Sequence, residues 1–190
     1  MTMFLSKVLF HPTRNPYETH RILWGLFPDM PDADRPFLYR MSWSKHGKPN
    51  EALMQSRVTP NVGISGSCKI LATKEFKPKL SNGQILRFAL CANPTKRLSS
   101  ERKRVPLLNE KQQLDWLDRK IGSSVDLLET QVAEGRVLHF WRKGVAGKVF
   151  TIKFNGIMRI SDPNQLVQTI EDGVGPAKSF GCGMLSIAPA

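Results

Sequence analysis

The sequence predicts an α+β protein built from two successive small units of mixed strands and helices. Runs rich in strand-forming residues are interrupted by segments with helical periodicity. The 190 residues are enough for one large domain or two small ones. A basic stretch with a proline interrupts the strand pattern near the middle, and it favours the division into two units.

The first half opens with a strand and a helix. Phe4 to Phe10 is rich in strand formers and leads into a loop at His11-Pro12. Asn15-Pro16 begins a helix, because Asn is a favourable N-cap and Pro suits the first helical position. The apolar side chains of this helix form a stripe, and Pro28 ends it; the stripe consists of Ile22, Leu23, Leu26 and Phe27.

Three further strands are predicted before the middle of the chain. Phe37 to Ser44 and Glu51 to Thr59 flank a turn at 46–49, and Ile85 to Ala92 is expected to close the first unit. Asn93 to Arg104 then has the composition of an exposed connector. We therefore predict an N-terminal domain at 1–95, a basic connector at 96–108 and a C-terminal domain at 109–190.

The second half repeats the mixture of helices and strands. Its predicted elements are a helix from Asn109 to Ile121 stopped by Gly122, a hairpin of Arg136 to Arg142 and Lys148 to Ile160, a helix from Ser161-Asp162-Pro163 to Ile170 stopped by Gly173, and a strand from Met184 to Ala188. This order is expected of two tandem ferredoxin-like (RRM-like) domains.

Charge indicates the kind of partner. The chain has 28 Lys and Arg against 16 Asp and Glu, a formal charge of +12. Such a surplus favours a polyanion, because phosphate contacts release condensed counterions. No segment reaches the roughly 18 apolar residues of a membrane span, and no signal peptide is visible, so we expect a soluble cytoplasmic protein without membrane contact.

The three cysteines indicate neither a disulfide framework nor a zinc site. Cys68, Cys91 and Cys182 are odd in number and show no CxxC spacing. We expect reduced, semi-buried side chains.

Several stretches resemble one known family along nearly the whole chain. NPYETHRILWGLFP (15–28) and GVGPAKSFGCGMLSIAP (173–189) look like the two signature regions of the CasE family, the crRNA-processing endonucleases of type I-E CRISPR systems. Between them, LRFALCANPTKR (86–97), KRVPL (103–107) and QLDWLDRKIG (113–122) resemble the same family in the same order.

The resemblance implies a fold, an activity and partners. It implies two ferredoxin-like domains and a CRISPR endoribonuclease that cleaves precursor crRNA at the base of the repeat hairpin. It also implies that neither metal nor another cofactor is needed, and that the protein keeps its product within the Cascade complex with other subunits.

The first helix carries the candidate catalytic residues. RNA can be cut by its own 2′-hydroxyl if one group removes that proton and another protonates the leaving oxygen. Helical spacing puts Tyr17, His20, Arg21 and Trp24 on one face. The residues alone favour an ordinary histidine on a surface helix. By the resemblance, His20 matches the catalytic histidine and Tyr17 the nearby tyrosine, while Arg21 suits charge neutralisation at the phosphate.

The candidate RNA-binding residues fall into three groups. Basic residues of the connector and of the hairpin are expected to hold an RNA hairpin through its backbone. A glycine-rich segment, which matches the family's loop, would let backbone amides approach phosphates, although such glycines also serve simply to form a turn. The groups are Lys96, Arg97, Arg102, Lys103 and Arg104; Arg142, Lys143 and Lys148; and Gly175, Lys178, Gly181 and Gly183.

Two other functions are compatible with parts of this pattern. A catalytically silent subunit would hold an RNA hairpin within a ribonucleoprotein complex and share the basic surface. A general basic scaffold would carry long basic tails, whereas the ends of this chain are hydrophobic.

Overall fold

A computed structural model describes residues 2–11, 13, 15–27, 35–42, 50–61, 67–98, 104–133 and 135–190. The chain divides into two compact units. The first comprises Met1–Pro78, His139–Lys148 and Lys178–Gly181. The second comprises Lys79–Leu138, Val149–Ala177 and Cys182–Ala190.

The first unit is a four-stranded antiparallel sheet with one helix. Its elements are β1 (Met3–Phe10), α1 (Pro16–Trp24), β2 (Phe37–Ser42), β3 (Asn50–Ser56) and β4 (Cys68–Phe76). The strand order is β2-β3-β1-β4, and every neighbouring pair is antiparallel. This is the order of a ferredoxin-like sheet. The described part of the connection from β3 to β4, residues 57–61 and 67, contains no helix.

The core of the first unit joins α1 to the sheet. Leu23 of the helix is fully buried, and Phe27 stacks on Phe37 with 5.4 Å between ring centroids. Val8 of β1 and Met54 of β3 belong to the same cluster. The buried face of α1 therefore fixes the helix on the sheet, while its polar face stays accessible.

The second unit contains the complete order of a ferredoxin-like fold. Its elements are β5 (Ile85–Ala92), β6 (Thr95–Arg97), β7 (Arg104–Pro106), α2 (Glu110–Ile121), β8 (Val125–Val132), β9 (Arg136–Arg142), β10 (Val145–Ile160), α3 (Pro163–Asp172) and β11 (Leu185–Pro189), except that the end of β9 and the start of β10, within His139–Lys148, belong to the first unit. The main sheet has the order β11-β5-β10-β8 with antiparallel neighbours, β9 pairs with β10, and β6 and β7 form a separate ribbon.

Alternation and amphipathic faces build the second core. Leu86, Phe88 and Leu90 are the buried positions of β5, which alternates with exposed or half-buried residues. Leu117 of α2 is fully buried, and the Trp116 ring stacks on that of Phe154 at 6.5 Å. The two helices thus cover a sheet whose centre is β5 and β10.

The helix starts are those predicted from capping residues. The side chains of Asn15, Asn109 and Asp162 each accept a hydrogen bond from a backbone N–H in the first turn of α1, α2 and α3. The first helix ends earlier than expected, at Trp24 with Gly25 as C-cap. Pro28, the predicted stop, lies outside the described residues.

The predicted domain boundaries are wrong. Ile85 to Ala92 does not close the first unit but pairs with β10 and β11 in the second sheet. The first segment of the first unit ends at Pro78, and the tip of the hairpin, His139–Lys148, also belongs to this unit. The boundaries at 95 and 108 are wrong because a domain is defined by which strands pair, and these pairs join residues far apart in sequence. The composition of a short segment carries no information about such pairs.

The predicted connector is partly ordered. β6 and β7 pair as a short antiparallel ribbon within the second unit, with Arg97 directly opposite Arg104. Arg102 and Lys103 lie outside the described residues. The predicted hairpin is present, but β10 begins at Val145, and the turn is formed by Lys143 and Gly144, both with positive φ, 49° and 76°.

The cysteines are free, as expected. Cys182 is fully buried, whereas Cys68 and Cys91 are half-buried. No helix in the described ranges has the length and apolar character needed to cross a membrane.

Candidate active site

Asn15 joins the start of α1 to the tip of the hairpin within the first unit. Its Oδ1 accepts from the backbone N–H of Tyr17 at 3.2 Å and caps the helix. The same side chain holds the backbone of Trp141, accepting from its N–H at 3.3 Å and donating to its carbonyl at 2.8 Å. One amide therefore sets the position of β9 beside the polar face of α1.

His20 stands among aromatic rings on that face. The indole Nε1–H of Trp24, one helical turn later, donates to His20 Nε2 at 3.2 Å. The ring of Phe37 lies below at 5.9 Å between centroids. Because Nε2 accepts this bond, the neutral imidazole carries its proton on Nδ1.

The environment of His20 favours the uncharged ring. Burial, followed by the positive charges of Arg35 and Arg142, lowers the pKa of His20 from 6.5 to about 4. All three causes disfavour a second proton. At neutral pH the folded protein therefore presents a neutral imidazole whose Nε2 is engaged by the Trp24 N–H.

Tyr17 lies beside His20 and under a cation. Its ring centroid is 5.9 Å from that of His20. The Arg142 guanidinium lies over the Tyr17 ring, with 5.4 Å from Cζ to the centroid. Phe180 packs on the other side at 6.1 Å. The tyrosine is thus held close to both the histidine and a positive charge.

These residues line an open cavity of about 540 Å³. Its walls come from α1 and from the hairpin tip: Asn15, Tyr17, Glu18, His20, Arg21, Trp24, Trp141, Arg142 and Lys143. Three of them are basic and one is acidic. The cavity is large enough for a nucleotide, and its mixture of rings and cations suits one.

The glycine-rich segment contributes a turn to the first unit. Tyr39 is fully buried and its hydroxyl donates to the carbonyl of Ser179 at 2.7 Å. Gly181 has φ of 79°, and a Cβ there would lie 3.3 Å from the Tyr39 ring. Lys178 begins this turn and is half-buried. The turn therefore needs a glycine to close against Tyr39.

Gly175 and Gly183 serve the second unit. Gly175 has φ of 76°, and a Cβ there would lie 2.6 Å from Trp116 Cζ2. Gly183 donates to the carbonyl of Cys91 at 2.7 Å and accepts from Val174 N–H at 2.8 Å. Both positions have a structural role, which was the alternative left open by the sequence.

A second basic cavity, of about 450 Å³, lies within the second unit. Its lining is Thr95, Arg97, Arg104, Trp116, Lys120, Gly175 and Pro176. Arg97 and Arg104 face each other across the ribbon, although like charges directly opposite are unfavourable. An anion between them would remove that repulsion.

The structure brings some predicted residues together and leaves others apart. His20, Tyr17, Arg21, Arg142 and Lys143 share the first cavity. Arg97, Arg104 and Gly175 share the second. Lys96 and Lys148 are exposed on β6 and β10 without lining either cavity.

Sequence reasoning missed three residues of these sites. Arg35 acts on His20 electrostatically, Trp141 lines the first cavity and Lys120 lines the second. Only Lys120 had a local signal, as a basic residue at the end of an amphipathic helix. His139 is exposed on β9.

The described side chains include no group of three His, Cys, Asp or Glu residues arranged to bind a metal ion. The independence from metal and cofactor stays a prediction.

Comparisons with known proteins place the chain in a family. The family model described as "CRISPR associated protein" matches residues 3–189. The Cascade subunit CasE of Escherichia coli K12 is 35% identical over 200 residues, covering 98% of this chain and all of the relative. The endoribonuclease Cse3 of Thermus thermophilus is 32% identical over 211 residues, with 98% of this chain and all of the relative covered.

Solved structures agree with this assignment. Thermus thermophilus Cse3 bound to an RNA representing a pre-cleavage complex matches with a TM-score of 0.88 and 32% identity, over all of both chains. Cas6e of Escherichia coli K-12 matches with a TM-score of 0.85 and 34% identity, over 98% of this chain and all of the other. With a family model, full-length relatives and a common fold in agreement, this chain belongs to the CasE family of CRISPR-associated proteins.

Proposed function

We propose that this protein is an endoribonuclease that cleaves precursor crRNA at the base of the repeat hairpin. The observation that carries the proposal is the neutral imidazole of His20, which opens with Tyr17 and Arg142 onto one cavity. The relative Cse3 is named an endoribonuclease, and its matching structure contains RNA.

The proposed reaction uses the RNA's own 2′-hydroxyl. The 2′ oxygen loses its proton and forms a bond to the adjacent phosphorus, and the bond from phosphorus to the 5′ oxygen breaks. The products are a 2′,3′-cyclic phosphate and a 5′-hydroxyl. Proton transfers and charge stabilisation suffice for this chemistry, so the proposal includes neither a metal ion nor a cofactor.

In this proposal His20 is the general base. Its pKa near 4 leaves the imidazole unprotonated at neutral pH, and Nε2 takes the 2′ proton once the substrate hydroxyl replaces the Trp24 N–H that it accepts in the free protein. The Tyr17 ring lies 5.9 Å from the His20 ring between centroids. Its hydroxyl protonates the leaving oxygen or orients the phosphate. Arg142 and Arg21 line the same cavity and stabilise the developing charge.

The RNA hairpin would be held by cations in both units. In the first unit Lys143 lines the cavity of His20, and Lys148 and Lys178 belong to the same unit. In the second, Arg97 and Arg104 form a basic cavity with Lys120, which suits a backbone phosphate. Further candidates for phosphate contact are Lys96, Arg102 and Lys103 of the predicted connector, and the amides near Gly175, Gly181 and Gly183.

We also propose that the protein keeps its product as a Cascade subunit in the cytoplasm. The Escherichia coli relative is named as a subunit of Cascade. A surface carrying a charge of +12 would release a phosphate-rich product slowly.

The test is cleavage of an RNA carrying one CRISPR repeat from the source genome, in the presence of EDTA. The wild-type protein is expected to cut at the base of the stem and leave a cyclic phosphate. His20→Ala is expected to lower the single-turnover rate by about 10²-fold to 10⁴-fold, the usual contribution of a general base. Its affinity for the same RNA with a 2′-deoxy nucleotide at the cut should stay within about threefold, since phosphate contacts dominate binding.

The control is His139→Ala, which removes an exposed histidine of β9 outside the cavity and should cut at the wild-type rate. Cleavage by His20→Ala at that same rate would remove His20 from the mechanism. Tight binding without any cleavage by the wild-type protein would instead favour a catalytically silent RNA-binding subunit.

A further inference from the structure

Trp141 is an exposed aromatic side chain of β9. It is 55% exposed, although tryptophan is among the side chains that gain most from burial. Within the described part of the chain, its ring makes no contact with another aromatic ring. Its apolar surface is therefore available to a ligand.

The backbone of Trp141 is nevertheless held firmly. Both its N–H and its carbonyl are hydrogen-bonded by the side chain of Asn15, at 3.3 and 2.8 Å. Asn15 also caps α1, which carries His20. The backbone of Trp141 is therefore held beside the catalytic helix, so only the side-chain torsions are restricted when a ligand packs on the indole.

The cavity next to the indole has the chemistry of a nucleotide site. Trp141 shares its walls with His20 and with the cations Arg142 and Lys143. An occupant that satisfies both kinds of wall carries a flat aromatic group and a negative charge. Arg142 already stacks on Tyr17, so its charge is fixed within the same wall.

We propose that Trp141 stacks on an unpaired nucleobase of the substrate RNA beside the scissile phosphate, and so helps to select where the strand is cut. The proposal rests on the proposed function. A base inside a duplex has both faces covered by its neighbours, so stacking on a side chain requires an unpaired nucleotide. The base of a hairpin stem is where paired and unpaired nucleotides meet.

The experiment is a cycle of one protein substitution and one RNA modification. Affinity is measured for a 2′-deoxy repeat RNA that has an abasic site, introduced in turn at each unpaired nucleotide flanking the stem. Trp141→Ala is expected to weaken binding of the unmodified RNA by about 5-fold to 150-fold, the usual effect of losing one base stack. At one abasic position the variant and the wild type should bind equally, because the stack is then already missing. Trp141→Phe should keep most of the affinity.

Val145→Ala is the matched control. Val145 is another exposed apolar residue of the same hairpin, 69% exposed, and it does not line the cavity. Its replacement should change neither affinity nor the effect of any abasic site.

The outcomes separate this inference from the proposed function. If Trp141→Ala weakens every RNA equally, or changes no affinity, stacking is overturned even when the wild-type protein cleaves the repeat. If the wild-type protein cleaves no repeat, the proposed function fails, while the abasic series still reports whether Trp141 holds a base.

Discussion

The low pKa of His20 has three causes. Burial lowers its pKa, and Arg35 and Arg142 add positive charge beside it. Arg35 is half-buried, its Nε has no hydrogen-bond acceptor among the described residues, and its Nη1 lies 3.5 Å from Ser179 Oγ. No carboxylate in the described ranges forms an ion pair with Arg35, so its positive charge acts on His20.

Removing that charge should raise the pKa of His20. We expect Arg35→Gln to move the His20 titration, followed by NMR of the imidazole, from about 4 towards the ordinary value of 6.5. The acid limb of kcat/KM for RNA cleavage should move up with it, because a base loses activity once it is protonated.

Arg40→Gln is the control for this substitution. Arg40 is a half-buried arginine of β2 whose Nε likewise has no acceptor in the described part of the chain, and it is not among the charges acting on His20. A pKa of His20 that stays near 4 in Arg35→Gln would contradict the electrostatic role.

The same pKa links His20 to stability. The unfolded chain takes up a proton at His20 near pH 6.5, whereas the folded chain does so only near pH 4. The contribution of His20 to stability is therefore present above pH 6.5 and is lost as the pH falls towards 4.

At the scale of residues, sequence reasoning identified the histidine but not its surroundings. His20 and Tyr17 were assigned through the resemblance, and helical spacing correctly placed them on one face. Arg35, which precedes β2, and Trp141 of β9 reach the site through the tertiary fold, and no local spacing connects them to α1. Their roles could not be read from the chain.

At the scale of elements, one side chain links two of them. Asn15 caps α1 and also binds the backbone of β9 at Trp141. The cap was predictable from Asn15-Pro16. The second role was not, because it depends on a residue 126 positions away.

Asn15→Ala and Asn109→Ala make a matched pair of cap deletions. Each should lower the free energy of unfolding by about 0.5 to 2 kcal/mol, measured by urea denaturation, because each removes the N-cap of one helix. Only Asn15→Ala should also slow RNA cleavage, since it releases the hairpin tip from the catalytic helix. Equal cleavage rates of the two variants would show that the hydrogen bonds between Asn15 and Trp141 do not contribute to RNA cleavage.

Two of the strands that the sequence did not predict share a position in the fold. β4 and β8 are both edge strands, and most of their side chains are exposed or half-buried. Edge strands avoid hydrophobic alternation and carry polar residues, which limits aggregation. The periodic signal that revealed β5 is therefore absent from them.

At the scale of the whole molecule, two cavities each bring several basic side chains together. The cavity around His20 and the cavity of Arg97, Arg104 and Lys120 each combine cations with aromatic side chains. Composition predicted a polyanionic partner but could not place the charge.

Removing the positive charges of the second cavity should lower the affinity for RNA. It should also make that affinity less dependent on salt concentration. For the triple variant Arg97→Gln, Arg104→Gln and Lys120→Gln, the slope of log affinity against log salt should fall by about 2 to 3, since each phosphate contact contributes about 0.7 to 0.9. The control removes three positive charges from exposed lysines that line neither of the two cavities: Lys69, Lys74 and Lys79. An equal loss of slope in the two triple variants would reduce the cavity to a share of the overall charge.

The interleaved path of the chain restricts how the protein can be divided. Each unit collects three separate segments, and the hairpin runs from one unit into the other. A fragment that ends at residue 95 would carry away β5, a central strand of the second sheet, and would lack Trp141 and Arg142. The activity thus cannot be isolated by cutting the gene at one point, and an insertion or circular permutation is best aimed at a turn within one unit.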